Sequence, residues 1–178
     1  MQGRSALNPI LSLYNFISPS NIQPAPYSMS QPARTVCAYL NFEGRCEEAL
    51  KFYESALGIT VEALMRFKDA PPAPQGEPGQ DSCVPGDPEK IMHCAFRVGS
   101  SMVMASDCRC SGQPAFAGVS LALEVPDTGD AARCFQGLSE GGTVCMPLEK
   151  TFWSPAFGVV TDKFGVCWMI STAPASQP

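Results

Sequence analysis

The chain has 178 residues, 45% of them hydrophobic and 16% charged, which is enough for one globular domain or two small fused modules and excludes a disordered polypeptide. A net charge of −5 without runs of Lys or Arg argues against nucleic acid as a partner. No apolar run reaches the roughly 18 residues that a membrane span requires, so a soluble protein is expected.

Residues 1–34 differ from the rest. The first 28 are Ser- and Pro-rich with Arg4 as their sole charge, and no acidic residue precedes Glu43. They read as a disordered or over-extended leader, with Met29 as a natural start; an organellar transit peptide is the other reading.

Residues 36–42 alternate Leu40 and Phe42 against Tyr39 and Asn41, the pattern of a strand. A turn at Glu43-Gly44-Arg45 leads into an amphipathic helix over 46–57. Its apolar stripe is Cys46, Ala49, Leu50, Tyr53 and Leu57, with Glu47 and Glu48 in the first turn and Gly58 at the left-handed stop. Residues 59–67 form a second strand. Residues 70–90 hold six prolines and three glycines, so they make a long excursion and no regular element. Strands over 91–98 and 101–106 follow as a hairpin about Gly99-Ser100.

The order then repeats: strand 119–125, helix 130–139 capped by Asp127 and stopped at Gly141-Gly142, strand 143–153, and strands 158–161 and 166–172 joined by Asp162-Lys163-Phe164-Gly165. Ala49-Leu50-Lys51-Phe52-Tyr53 is echoed by Ala131-Ala132-Arg133-Cys134-Phe135 at an offset of 82 residues, and Met102–Ser106 by Cys167–Ser171. Two like modules enclose a pocket where they meet. The predicted fold is α+β, two β-α-β-β-β modules over about 36–107 and 118–172.

Nine cysteines, an odd number without framework spacing, point to reduced thiols in a cytoplasmic protein. Zinc has little support, because His93 is the single histidine and Cys108-Arg109-Cys110 the one close cysteine pair.

Tyr39-Leu40-Asn41-Phe42, Met104-Ala105-Ser106-Asp107, Thr151-Phe152-Trp153 and above all the run from Gly158 to Ile170 carry a resemblance to the vicinal oxygen chelate superfamily, the glyoxalase/bleomycin resistance/dioxygenase group. The match covers residues 35–173 and is similar to its PhnB-like branch. This implies an open, incomplete barrel, commonly a homodimer, with the pocket inside the curved sheet. Superfamily enzymes hold a divalent metal with a His or Glu from the first and last strand of each module. Those positions fall here on Tyr39 or Ala38, Met104, Ser120 and Met169, in a register that matches Leu40 and Phe42 with Leu121 and Leu123 and Glu43 with Glu124. Neither thioether, alcohol nor phenol suits a hard cation, so no metal and no cofactor is expected. The branch is also labelled a demethylubiquinone methyltransferase family, but the chain lacks the Gly-rich strand-to-helix turn that such an enzyme needs.

Polar candidates on the pocket face are Tyr39, Asn41, Ser120 and Glu124, with His93 on the third strand and Asp107 after the fourth. Glu124 and His93 are the candidate catalytic acid or base. Phe152, Trp153, Phe157, Phe164 and Trp168, with Met104 and Met169, line a ligand pocket or fill the core. The expectation is metal-free binding or sequestration of a small molecule by a homodimer, without nucleic acid or membrane partners. A lyase, isomerase or dioxygenase with a rearranged metal or acid-base site is the alternative, and a ligand-free interaction protein the third reading.

Overall fold

A computed structural model of the chain describes residues 35–70, 87–107 and 113–173. The leader through residue 34, most of the Pro-rich excursion and Cys108-Arg109-Cys110 lie outside the described residues. The compact unit begins at Cys37.

Eight strands and two helices follow in chain order: β1 (Ala38–Asn41), α1 (Cys46–Leu57), β2 (Thr60–Arg66), β3 (Ile91–Val98), β4 (Ser101–Ser106), β5 (Ser120–Val125), α2 (Thr128–Ser139), β6 (Thr143–Glu149), β7 (Phe157–Thr161) and β8 (Cys167–Thr172). A 3₁₀ turn, Phe67–Asp69, follows β2. The strands build two four-stranded sheets ordered β1-β4-β3-β2 and β5-β8-β7-β6, with β1 and β5 parallel to their neighbours and the other pairs antiparallel. This is the two-module α+β architecture, and the sheets do not close into a barrel.

Local chemistry explains the elements. The stripe on α1 buries Cys46, Ala49, Leu50, Tyr53 and Ala56, and Gly58 ends the helix at φ 66° with its N–H on the Glu54 carbonyl. Asp127 caps α2 by accepting from the Asp130 N–H at 2.9 Å, so the helix starts at Thr128, two residues before the expected position. Gly137 lies in the interior of α2 where it meets α1: a Cβ there would sit 3.0 Å from both Cα and Cβ of Ala56. The strand expected over 143–153 stops at Glu149, because Thr151 and Ser154 close a turn through three mutual hydrogen bonds.

The helix-covered faces of both sheets share one core, from Leu40, Phe42 and Phe96 across α1 and α2 to Val160, Trp168 and Ile170. Two buried carboxylates hold it in register. Asp107 accepts from the Cys46 N–H at one oxygen and from the Ile91 N–H at the other, both at 2.7 Å. Asp162 takes the Tyr53 hydroxyl at 2.6 Å and Trp168 Nε1 at 2.9 Å on one oxygen, and the Phe164 and Val166 amides on the other. Burial and the adjacent Asp162 charge push the Tyr53 phenol far above its usual value, so it stays a donor. Tyr53 thereby ties the first module to the β7–β8 turn of the second. Among the described residues no helix is long and apolar enough to cross a membrane.

Candidate functional site

Strand alternation leaves each sheet a second face, turned away from the helices. On the first sheet the pairing sets Tyr39 beside Met104 and Met104 beside Ala95. The next row sets Asn41 beside Ser106, with His93 opposite Met65 on the far strands. On the second sheet Ala122, Met169, Val159 and Met146 form one row, and Glu124, Ser171, Phe157 and Glu149 the next. Large apolar groups stand open on these faces: Tyr39 is 46% exposed, Met65 44%, Met146 47% and Met169 38%. Thioethers and a phenol at this exposure give each open face an adaptable apolar surface, and the first sheet has hydrogen-bonding groups on one side of its own.

The polar side is made by residues from three strands. Tyr39 Oη lies 3.2 Å from His93 Nδ1, with the two rings 5.7 Å apart, and Ser106 Oγ lies 3.2 Å from Asn41 Oδ1. In the tautomer in which the phenol donates to Nδ1, the imidazole carries its proton on Nε2. A cavity of about 250 Å³ runs along β1 beside this cluster, walled by Ala38, Tyr39, Asn41, Phe116, Val119 and Leu121. The sequence-derived residues Tyr39, Asn41, His93 and Met104 are therefore brought together.

Others are not. Glu124 lines a separate cavity of about 460 Å³ with Ser100, Ser101 and Arg133, at the junction of the β3–β4 hairpin with β5 and α2. It does not share a site with His93. Trp168, expected as pocket lining, is 2% exposed and points into the core with its indole on Asp162, because it alternates with Met169 along β8. Phe164 is core as well. Asp107 is 1% exposed and spends both carboxylate oxygens on backbone amides, so it is a fold clamp and no ligand contact. Phe157 is buried on the open-face row with its ring 4.8 Å from that of Trp153, while Phe152 stands fully exposed in the Thr151–Ser154 turn.

The inter-module register also differs by two residues from the expectation. The residue opposite Met169 is Ala122; Ser120 faces Cys167. Leu40 corresponds to Leu123, Phe42 to Val125 and Asn41 to Glu124, because the true match runs through the β1–β4 and β5–β8 pairings. The positions at which the resemblance would place metal ligands are thus Tyr39, Met104, Ala122 and Met169. A phenol, two thioethers and a methyl group do not fit a hard divalent ion. Among the described residues no three His, Cys, Asp or Glu side chains are grouped to hold a metal.

Met65 and Met146 join the open faces without having been singled out in the sequence. Strands β2 and β6 carry register shifts, between Val61 and Ala63, Met65 and Arg66, and Val144 and Met146, that break the simple alternation.

The model of the Glyoxalase/Bleomycin resistance protein/Dioxygenase superfamily matches residues 39–170. The chain is 34% identical over 136 residues to Protein YjdN of Escherichia coli (strain K12), covering 75% of this chain and 91% of that protein. Among solved structures it resembles protein PA1353 from Pseudomonas aeruginosa, with 39% identity, a TM-score of 0.64, and coverage of 79% of this chain and 98% of that one. It also resembles the PhnB protein from Bacillus cereus, with 25% identity, a TM-score of 0.63, and coverage of 79% and 100%.

Proposed function

We propose that this chain, which belongs to the glyoxalase/bleomycin resistance/dioxygenase superfamily, binds a flat, mostly apolar small molecule on the open face of its sheets without a hard metal ion. The observation that carries this reading is the Tyr39 phenol held against His93 at 3.2 Å on a strand whose neighbour presents Met104. A ring can lie on the thioether and phenol while its polar substituent meets His93 Nε2 or the Asn41 amide. A homodimer is part of the proposal. The edge strands β2 and β6 are exposed along nearly their whole length, with Val61, Leu64, Met65, Val144 and Met146 uncovered, and a second copy would cover them.

A thermal-shift screen of planar aromatic compounds and of divalent metals tests the binding. At least one aromatic compound should stabilise the full chain saturably, and Tyr39→Ala should weaken it about tenfold or more. Stabilisation by metals alone, or an aromatic response unchanged in Tyr39→Ala, overturns the reading. The second reading, an isomerase or lyase, rests on the same Tyr39–His93 pair as a proton donor and acceptor; turnover of a bound compound lost in His93→Gln with binding retained would favour it.

A further inference from the structure

We infer that Cys46 and Cys94 are a peroxide-sensitive thiol pair that closes into a disulfide, tying the start of α1 to the middle of β3. Their sulfurs are 3.7 Å apart across a sequence separation of 48 residues, and both side chains are fully buried. Both are free thiols, as are Cys37, Cys134, Cys145 and Cys167. Among the described residues this is the thiol pair in contact.

The surroundings hold the pair in place. Asp107 binds the backbone N–H of Cys46 itself and that of Ile91, three residues before Cys94, so one carboxylate fixes the helix start and the strand start together. A disulfide requires sulfurs about 2.05 Å apart, so closure takes a movement of roughly 1.6 Å, within reach of small side-chain rotations. A polar cleft of about 320 Å³, lined by Gly44, Arg45, Glu47, Lys90 and Asp107, opens at the two residues that flank Cys46 in the chain, while Cys46 itself is fully buried.

The chemistry balances with hydrogen peroxide as oxidant. One thiol, as thiolate, attacks a peroxide oxygen; the O–O bond breaks, leaving a sulfenic acid and a hydroxide that takes up the released proton as water. The second thiol attacks the sulfenic sulfur, the S–O bond breaks, and the oxygen leaves as a second water with that thiol's proton. Two thiols are oxidised and one peroxide is reduced. The hydrogen bond with Cys94, and then burial, push the Cys46 thiol up and slow attack from that sulfur, so the exposed Cys145 should react earlier.

The test uses the full folded chain, treated with increasing hydrogen peroxide, blocked with N-ethylmaleimide in denaturant, digested and read by mass spectrometry. The expected result is a peptide pair joined through Cys46 and Cys94 that disappears with dithiothreitol, together with a rise of about 5 °C or more in the thermal midpoint. Cys145→Ser should keep both effects. Recovery of Cys46 and Cys94 as blocked thiols at a peroxide level that has consumed Cys145 overturns the inference. So does a crosslink that forms only when denaturant is present during oxidation. Because both readings come from the unaltered chain, the result does not depend on whether Cys94→Ala folds; if it does, the crosslink and the midpoint shift should both be lost.

Discussion

The Tyr53 hydroxyl joins the two modules by donating to buried Asp162. Tyr53→Phe removes that group and leaves the ring among Phe42, Phe52, Phe96, Phe164 and Trp168, whose centroids lie 5.6–6.2 Å away. Packing is retained, so the loss is one short hydrogen bond to a buried carboxylate, worth about 1.5–3 kcal/mol. Asp162 keeps the Trp168 indole and two backbone amides, which holds the cost below that of an orphaned charge. For a domain of this size the thermal midpoint should fall by roughly 5–10 °C. Urea unfolding followed by fluorescence should show a lower midpoint and an unchanged m-value.

The pH dependence sharpens the test. Tyr53 is raised in the folded state, whereas in the unfolded chain it ionises near pH 10, so above about pH 10 the unfolded state binds fewer protons and stability falls. The bond's contribution is fully present below that pH and is lost as pH rises. The gap between the native chain and Tyr53→Phe should therefore be constant from pH 7 to 9 and shrink above 10. A gap under about 0.5 kcal/mol at pH 8, or one that grows in alkali, refutes the assignment.

Gly137→Ala should destabilise the fold by about 1–3 kcal/mol in urea unfolding, against the usual gain for this change in a helix, because the new methyl would sit 3.0 Å from Cα and Cβ of Ala56; a neutral or stabilising result would mean that the two helices part readily. Chain purified without chelator should carry well under one equivalent of zinc, nickel, iron or manganese by plasma emission, and added Ni²⁺ or Mn²⁺ should leave its melting unchanged. Near-stoichiometric metal lost in Tyr39→Phe would overturn the ligand assignment at Tyr39, Met104, Ala122 and Met169.

Much of the fold was legible because its signals are local. Gly58, Asp127 and the apolar stripe of α1 each act within a few residues, and the repeat then sets the order of the second module. Gly137 was silent: nothing in a helical stretch tells whether a glycine is tolerated or demanded, since the demand comes from Ala56, 81 positions earlier in the chain. Asp107 looked like a pocket carboxylate because it follows a strand lining the open face. Its partners, the amides of Cys46 and Ile91, are brought to it only by the tertiary fold.

The register between modules shows the same limit in a form that matters for function. Leu121 and Leu123 are both apolar with small or polar neighbours, so the sequence admits matching Leu40 to either, and only hydrogen-bonded pairing with β8 decides for Leu123. The shift moves the position opposite Met169 from a serine to an alanine. An alcohol there would leave one weak oxygen donor facing Met169, whereas a methyl leaves none, so the pair on the second sheet offers a thioether and a methyl group. Glu124 of the second sheet lines a separate cavity, and the first sheet carries the hydrogen-bonded pair of Tyr39 and His93. Any ligand held there would be gripped at one edge and lie on apolar surface elsewhere, the arrangement in which shape and stacking choose the molecule and a few hydrogen bonds orient it.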